Sequence, residues 1–215
     1  MKSYLIGSAI LAAAFAATLP LEAQQAPQLP GSKSAAAITG GTYQADPGHT
    51  LVGWRVDHFG FSPYFGLFGD ITGTLVLDPK NPQAAKVDVT IPIAKVTTAS
   101  AGLTAHLLRP AGESGKADFF GAAPAPARFV STKVHVHGPD AAHIMGDLTL
   151  NGITRPVVLD AQFYGAGKAP AMMGGKENVG FTAKATIKRS DFGVGYAVPL
   201  VSDEVTLDIA AAFQK

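Results

Sequence analysis

The chain has 215 residues, 47% of them hydrophobic and 15% charged, with 24 glycines, 15 prolines and no cysteine. A charged fraction so far below the roughly 25% of an average globular protein excludes a charge-rich tail or coiled coil, and the absence of cysteine excludes disulfides, thiolate metal sites, iron–sulfur clusters and a cysteine nucleophile. A formal net charge of +1 gives no broad attraction to nucleic acid or an anionic membrane, so any partner must be held by shape and apolar contact.

The first element in chain order is an export leader. Lys2 precedes an apolar run from Leu5 to Ala17, followed by Pro20 and Leu21-Glu22-Ala23. That is a charged n-region, an h-region and a small residue at a cleavage point, with cleavage expected after Ala23. The run is shorter than the ~20 apolar residues of a bilayer span, and no later segment qualifies, so residues 1–23 read as a signal peptide and the product as an exported, soluble protein. Residues 24–40, with Pro27, Pro30 and Gly31 and no periodicity, read as a flexible linker. Residues 41–215 then form one domain.

That domain alternates with the period of two that marks half-buried strands. Val52, Trp54, Val56 and His58 share one face against Arg55 and Asp57. After a segment at 67–78, Val87, Val89, Ile91 and Ile93 oppose Lys86, Asp88 and Thr90. A helical pattern spans Ser100–Leu108, and a second is expected just before Phe119. Strands follow at 128–137 and 143–151. Then Val157, Leu159, Ala161 and Phe163 oppose Asp160 and Gln162, and Val179, Phe181, Ala183, Ala185 and Ile187 oppose Thr182, Lys184 and Thr186. Val205, Leu207 and Ile209 close the series. Asp78-Pro79, Gly138-Pro139-Asp140, Asn151-Gly152 and Gly174-Gly175 mark turns. About eight antiparallel strands with one apolar face each require a sandwich or a closed barrel. Gly53, Gly73 and Gly180 suit bent barrel walls and leave lumen space.

The aromatic residues form two groups, Trp54 to Phe68 and Phe119 to Phe129. They are either ordinary core or a lining for an apolar ligand, which needs contact area with few polar demands. Gly60, Pro63 and Gly66 break the alternation between Phe59 and Phe68, which reads as a mouth or lid. The candidate ligand-binding residues are Trp54, Val56, His58, Phe61, Phe65, Phe68, Phe119, Phe120 and Phe129. His58 reads first as a satisfied interior histidine and second as a head-group contact. His135 and His137 project from one face, but Lys133 shares it and no carboxylate stands at a ligand spacing, so no metal site is expected. Hydrolase, metalloprotease, phosphate-loop and dinucleotide motifs are absent. His49, His58 and Asp191 are the candidates for an enzyme acting on a lipid or quinone, and Asp191-Phe192-Gly193 reads as a strand-end turn with Asp191 bonding turn amides.

Asp46-Pro47-Gly48-His49-Thr50 through Ser62, with Gly66, Phe68 and Gly73, resembles the opening signature of the YceI family of exported lipid-binding proteins. His106-Leu107, Asp118-Phe119-Phe120, the Gly146–Val157 hairpin, Arg189–Gly193 and Ser202-Asp203-Glu204-Val205 are similar to its later blocks, with Thr50 where the family usually has Ser and Asn151 where many members have His. The resemblance implies an all-β fold, an eight-stranded antiparallel lipocalin-like β-barrel with a short helical insertion, and a lumen for a polyisoprenoid or other long-chain amphiphile. It also suggests a homodimer. The expected protein is a periplasmic or secreted, non-enzymatic carrier without cofactor, its partner a long-chain lipid and neither nucleic acid nor membrane. A non-catalytic structural or stress-protective protein with a filled barrel is the alternative.

Overall fold

A computed structural model describes residues 28–113 and 115–215. The expected signal peptide at 1–23 lies outside them. The strands are β1 (Gly31–Ser32), β2 (Gly41–Ala45), β3 (Leu51–His58), β4 (Ser62–Phe68), β5 (Thr72–Leu77), β6 (Lys86–Ile91), β7 (Thr97–Thr98), β8 (Ala127–Val136), β9 (Ala141–Leu150), β10 (Ile153–Lys168), β11 (Glu177–Lys188) and β12 (Glu204–Gln214), with one helix, α1 (Ala101–Leu107). No helix among the described residues is long and apolar enough to cross a membrane.

The pairings close into a ring. β12 pairs antiparallel with β11 along its whole length, and β11, β10, β9, β8, β6, β5 and β2 follow in sequence around the wall. β2 then returns to the far end of β12, through Ala45 opposite Phe213. β3 continues along the same edge of β12, Val52 opposite Ile209 and Trp54 opposite Leu207. β2 with β3, and β4 with β5, are thus successive halves of two bent strands, and the barrel has the expected eight positions. Thr50 sits at the first bend, buried, where its Oγ1 donates to the Ala212 carbonyl at 2.9 Å and accepts the Ala212 N–H at 3.1 Å. A Ser hydroxyl makes the same bonds, so the Ser-to-Thr departure leaves this junction intact.

The turns fall where the sequence marks them. Asn151 and Gly152 take positive φ values of 53° and 76°, the two left-handed positions of a tight hairpin. Asn151 tolerates that conformation, and its amide also donates to the Phe192 carbonyl at 3.1 Å. α1 begins at Ser100, whose Oγ accepts the Leu103 N–H at 3.2 Å, and ends ahead of Pro110, which cannot continue a helix. The second helix expected before Phe119 is not formed. Pro110, Gly112 and Gly115 favour irregular chain there, and residues 118–120 are bends.

The structured domain starts earlier than Gly41. Within the segment read as a linker, Gly31–Ser32 pairs with β10 and Ile38 is buried beside Tyr43, Leu77 and Phe213. A polar clasp holds this end. One Glu177 carboxylate oxygen accepts the Thr39 N–H at 3.0 Å and the buried Tyr43 hydroxyl at 2.9 Å, with Lys215 Nζ 3.5 Å away. The Thr39 amide, then the Tyr43 and Thr39 hydroxyls and Lys215, hold the Glu177 carboxyl down to about 2 from an ordinary 4.5. A depressed carboxyl stabilises the fold above its unfolded value and loses that contribution as pH falls toward its folded value. Urea melts over a pH series should therefore show Glu177→Gln less stable than the parent at pH 7, with the difference shrinking between pH 4.5 and 2. An unchanged difference across that window would mean the Glu177 carboxylate does not couple this clasp to folding.

Candidate ligand-binding site

The inward residues of the ring enclose a cavity of about 1020 Å³. Its walls carry the apolar faces read from the sequence: Val52, Trp54 and Val56 on β3, Val87 and Val89 on β6, Leu159 and Phe163 on β10, and Leu207 and Ile209 on β12. One end is bounded by Lys33–Ala35, Pro79, Pro82 and the Gly138-Pro139-Asp140 turn. At the other, the β3–β4 tip, α1, Phe119 and the loop carrying Tyr196 meet. His58 and Phe59 are exposed as well as lining, so the cavity reaches the surface there.

Seven of the nine candidate residues, Trp54, Val56, His58, Phe68, Phe119, Phe120 and Phe129, line this cavity. Phe61 and Phe65 do not; they are 90% and 60% exposed. The segment read as an irregular lid is a regular hairpin, with Trp54 opposite Gly66 and Val56 opposite Tyr64. Its turn is Phe59-Gly60, with φ values of 61° and 69°, fixed by the Gly60 N–H donating to Asp57 at 2.7 Å. Counting by two from Phe68 puts Gly66 and Tyr64 inside and Phe65 outside, and Phe61 is the last residue of the turn, ahead of β4. His58 is at the exposed rim, its ring edge-on to Phe59 at 4.5 Å, so it is no interior histidine.

Lumen space comes from different glycines than expected. Gly53 and Gly180 lie on the outward register of β3 and β11, and Gly73, at φ 133°, meets the β6 backbone. Gly66 and Gly146 are the inward ones. The Trp54 indole lies across Gly66 and the Phe129 ring across Gly146, where added methyls would collide with them. Each aromatic therefore lies back against its neighbouring strand and leaves the centre free. The cost is visible at Trp54, whose indole N–H is buried without a partner among the described residues.

The mouth includes residues that alternation did not reveal. His106, one turn behind Leu103 on α1, packs edge-on against Phe119 at 5.2 Å and Tyr196 at 5.5 Å. Its Nε2 lies 2.7 Å from Asp118, which also accepts from Arg109. The His106 contact first, and Arg109 second, lower the Asp118 carboxyl below its ordinary value. Arg189 is buried and donates to the carbonyls of Ser202, Val194, Tyr196 and Val201 at 2.8–2.9 Å. Burial lowers its pKa, with Asp203 opposing. Its guanidinium pins the loop that carries Tyr196 over the lumen. The turn amide at Ser190 is bonded by Asp203 at 2.9 Å, the part expected of Asp191.

The enzymatic reading needs His49 and His58 to converge. They stand at opposite ends of β3, which by itself spans about 23 Å at ~3.3 Å per residue, and His49 is paired with Asp46 at 2.7 Å on an outer turn.

A family model for the YceI-like domain matches residues 43–213. The chain belongs to the YceI family. It is 42% identical over 163 residues to protein YceI of Escherichia coli, covering 75% of this chain and 80% of that one, and 41% identical over the same length to protein YceI of Salmonella arizonae, with the same coverage. Among solved structures, a Campylobacter jejuni YceI protein is 31% identical and superposes with a TM-score of 0.60 over 74% of this chain and 89% of its own. A polyisoprenoid binding domain from Saccharophagus degradans, 13% identical, shares the fold at a TM-score of 0.53 over 80% of this chain and 97% of its own. The YceI signature blocks now have structural roles: Thr50 at the strand bend, His106 and Phe119 at the mouth, Arg189 and Asp203 in the loop lock.

The Trp54–Gly66 contact yields a test. Gly66→Ala should cost about 1–3 kcal/mol, as overpacking does, and be nearly neutral in a Trp54→Ala background, a coupling read from a double-mutant cycle of urea melts. Equal costs in both backgrounds would show that the glycine serves the backbone instead of the indole.

Proposed function

We propose that this YceI-family protein is an exported carrier or sequestering protein that holds one long-chain isoprenoid-like or other amphiphilic lipid in its lumen, working outside the cytoplasm after removal of the leader. One observation carries the reading: a continuous cavity of about 1020 Å³ walled by Val, Ile, Leu and aromatic side chains, at the upper end of the ~300–1,000 Å³ of small-molecule sites. That free volume removes the main support for a filled, purely structural barrel. The Saccharophagus degradans domain of the same fold is a polyisoprenoid binding domain, which makes prenyl chains the first class to test.

Magnitudes set a chain-length requirement. Each buried CH₂ contributes about 0.8 kcal/mol, whereas association costs roughly 4–15 kcal/mol in lost freedom. Eight methylenes then give about 6 kcal/mol, near the low end of that range and leaving little or no net affinity, while twenty give about 16 kcal/mol and exceed all of it. Polar side chains line both ends, Lys33, Ser34 and Asp140 at one and His58, His106 and Tyr196 at the open mouth, where a head group stays close to water while its tail is buried.

The only tryptophan is Trp54, on the cavity wall, so its emission reports occupancy. Titration with a homologous alcohol series should leave Trp54 fluorescence unchanged at eight carbons and shift it saturably at sixteen to twenty. Native mass spectrometry of protein exported from its host should show one lipid per chain, and a folded Phe68→Asp variant should lose it. Bare polypeptide mass across preparations, together with no long-chain response, would sink the carrier reading.

A further inference from the structure

On the outer wall, away from the lumen, two imidazoles and a carboxylate meet. His137 follows the end of β8, His143 lies on β9 and Asp160 on β10, and one ligand atom from each falls within 4.8 Å of the others. The register makes this cluster. Asp160 is directly opposite His143. The His137 N–H bonds the Ala141 carbonyl at 3.0 Å, which folds the end of β8 over the start of β9 and brings the two rings to 4.4 Å between centroids. His135, although paired with His143 in the ladder, is not part of the group. We propose that His137, His143 and Asp160 form a binding site for one divalent transition ion, zinc or copper(II).

The ligand set selects that class. Imidazole nitrogen with a single carboxylate suits zinc and copper, whereas calcium and magnesium need sets of oxygen ligands. Donors about 2.0–2.1 Å from zinc stand about 3.4 Å apart on a tetrahedron. His137 and Asp160 are exposed, so rotation of their side chains closes the remaining distance without moving the strands, and water completes the coordination. Asp160 joins no salt bridge among the described residues. Lys133, opposite Met145 on β9, is a diagonal neighbour of His143 on the same face and lowers the affinity. Lys184 faces Asp160 in the β10–β11 register, and its charge also keeps the affinity moderate.

The position gives such an ion a mechanical effect. The Gly138-Pro139-Asp140 turn lies between His137 and His143 and borders the lumen, while the Asp140 carbonyl is tied to the Phe163 N–H at 2.7 Å. An ion clipping β8, β9 and β10 together would stiffen this end of the cavity without touching its contents.

The test uses tag-free full chain and metal alone. Copper(II) titration should give one equivalent bound, with an electron paramagnetic resonance pattern from two imidazole nitrogens. His143→Ala and Asp160→Asn should each weaken binding at least roughly tenfold, since even outer-sphere partners are worth that much. His49→Ala should leave it unchanged. Zinc should raise the melting temperature of the parent and not that of His143→Ala. Absence of stoichiometric binding, or binding that survives His143→Ala, overturns the proposal.

Discussion

Closure of the β12 seam is the constraint on which the rest depends. A sheet has two edges of unpaired amides and carbonyls unless its ends meet, and here both edges of β12 are used, one by β11 and the other by β2 and β3 in turn. With no cysteine, nothing covalent holds the ring shut. Eight positions fix a girth that is either filled by side chains or left to one small ligand. The difference is made by where Trp54 and Phe129 lie, and that is made by Gly66 and Gly146 opposite them.

The two ends of the barrel are built on different chemistry. At the end where residues 39–43 meet Lys215, Glu177 gathers Thr39, Tyr43 and Lys215 around one carboxylate. Burial, then the bond to Glu177, pushes the Tyr43 hydroxyl above its ordinary value, so it stays a donor. At the mouth a buried cation is held without a carboxylate in contact, by carbonyls of an irregular loop. A guanidinium offers five fixed donors, and four carbonyls aimed at one point define a loop shape that no ladder could. The first device fastens regular structure, while the second positions Tyr196, His106 and Phe119 at the open end of the lumen.

Local periodicity explains what the sequence disclosed and what it hid. The inward faces at 52–58, 87–91, 157–163, 179–187 and 205–209 are legible because alternation needs only neighbouring residues. Phe61 and Phe65 fall outside the lumen because β4 keeps the inward parity of β3, His58 standing opposite Ser62 and Val56 opposite Tyr64, a continuity that Gly60, Pro63 and Gly66 disguise in the sequence. Gly66 and Gly146 matter only through partners on adjacent strands. The His137–His143–Asp160 cluster likewise needs the register of three strands, which no spacing along one of them reveals. Tyr196 and Arg189 lie in or beside irregular chain, where no period exists to be read. The recognised signature blocks did mark Arg189 and His106, though not their contacts.

An unfilled lumen raises the question of why it does not collapse. In a close-packed core, lost contacts around a void cost about 24 cal/mol per Å³, a rate that no protein of marginal stability could bear over 1020 Å³. That rate belongs to dry voids in cores whose walls are side chains free to relax. Here the wall is a closed hydrogen-bond ladder, and shrinking it would break backbone bonds around the entire ring, each leaving a buried group unsatisfied. The lumen therefore persists, and the exposed rim at His58 and Phe59 gives water a way in. A ligand tail gains by displacing that water from apolar walls already fixed in place, with little reorganisation of the barrel to oppose it. A tail that bound the closed ring and not the open chain would also stabilise the fold by mass action. Closure of the seam at β12 creates the apolar space, and whatever filled that space would in turn resist the opening of the seam.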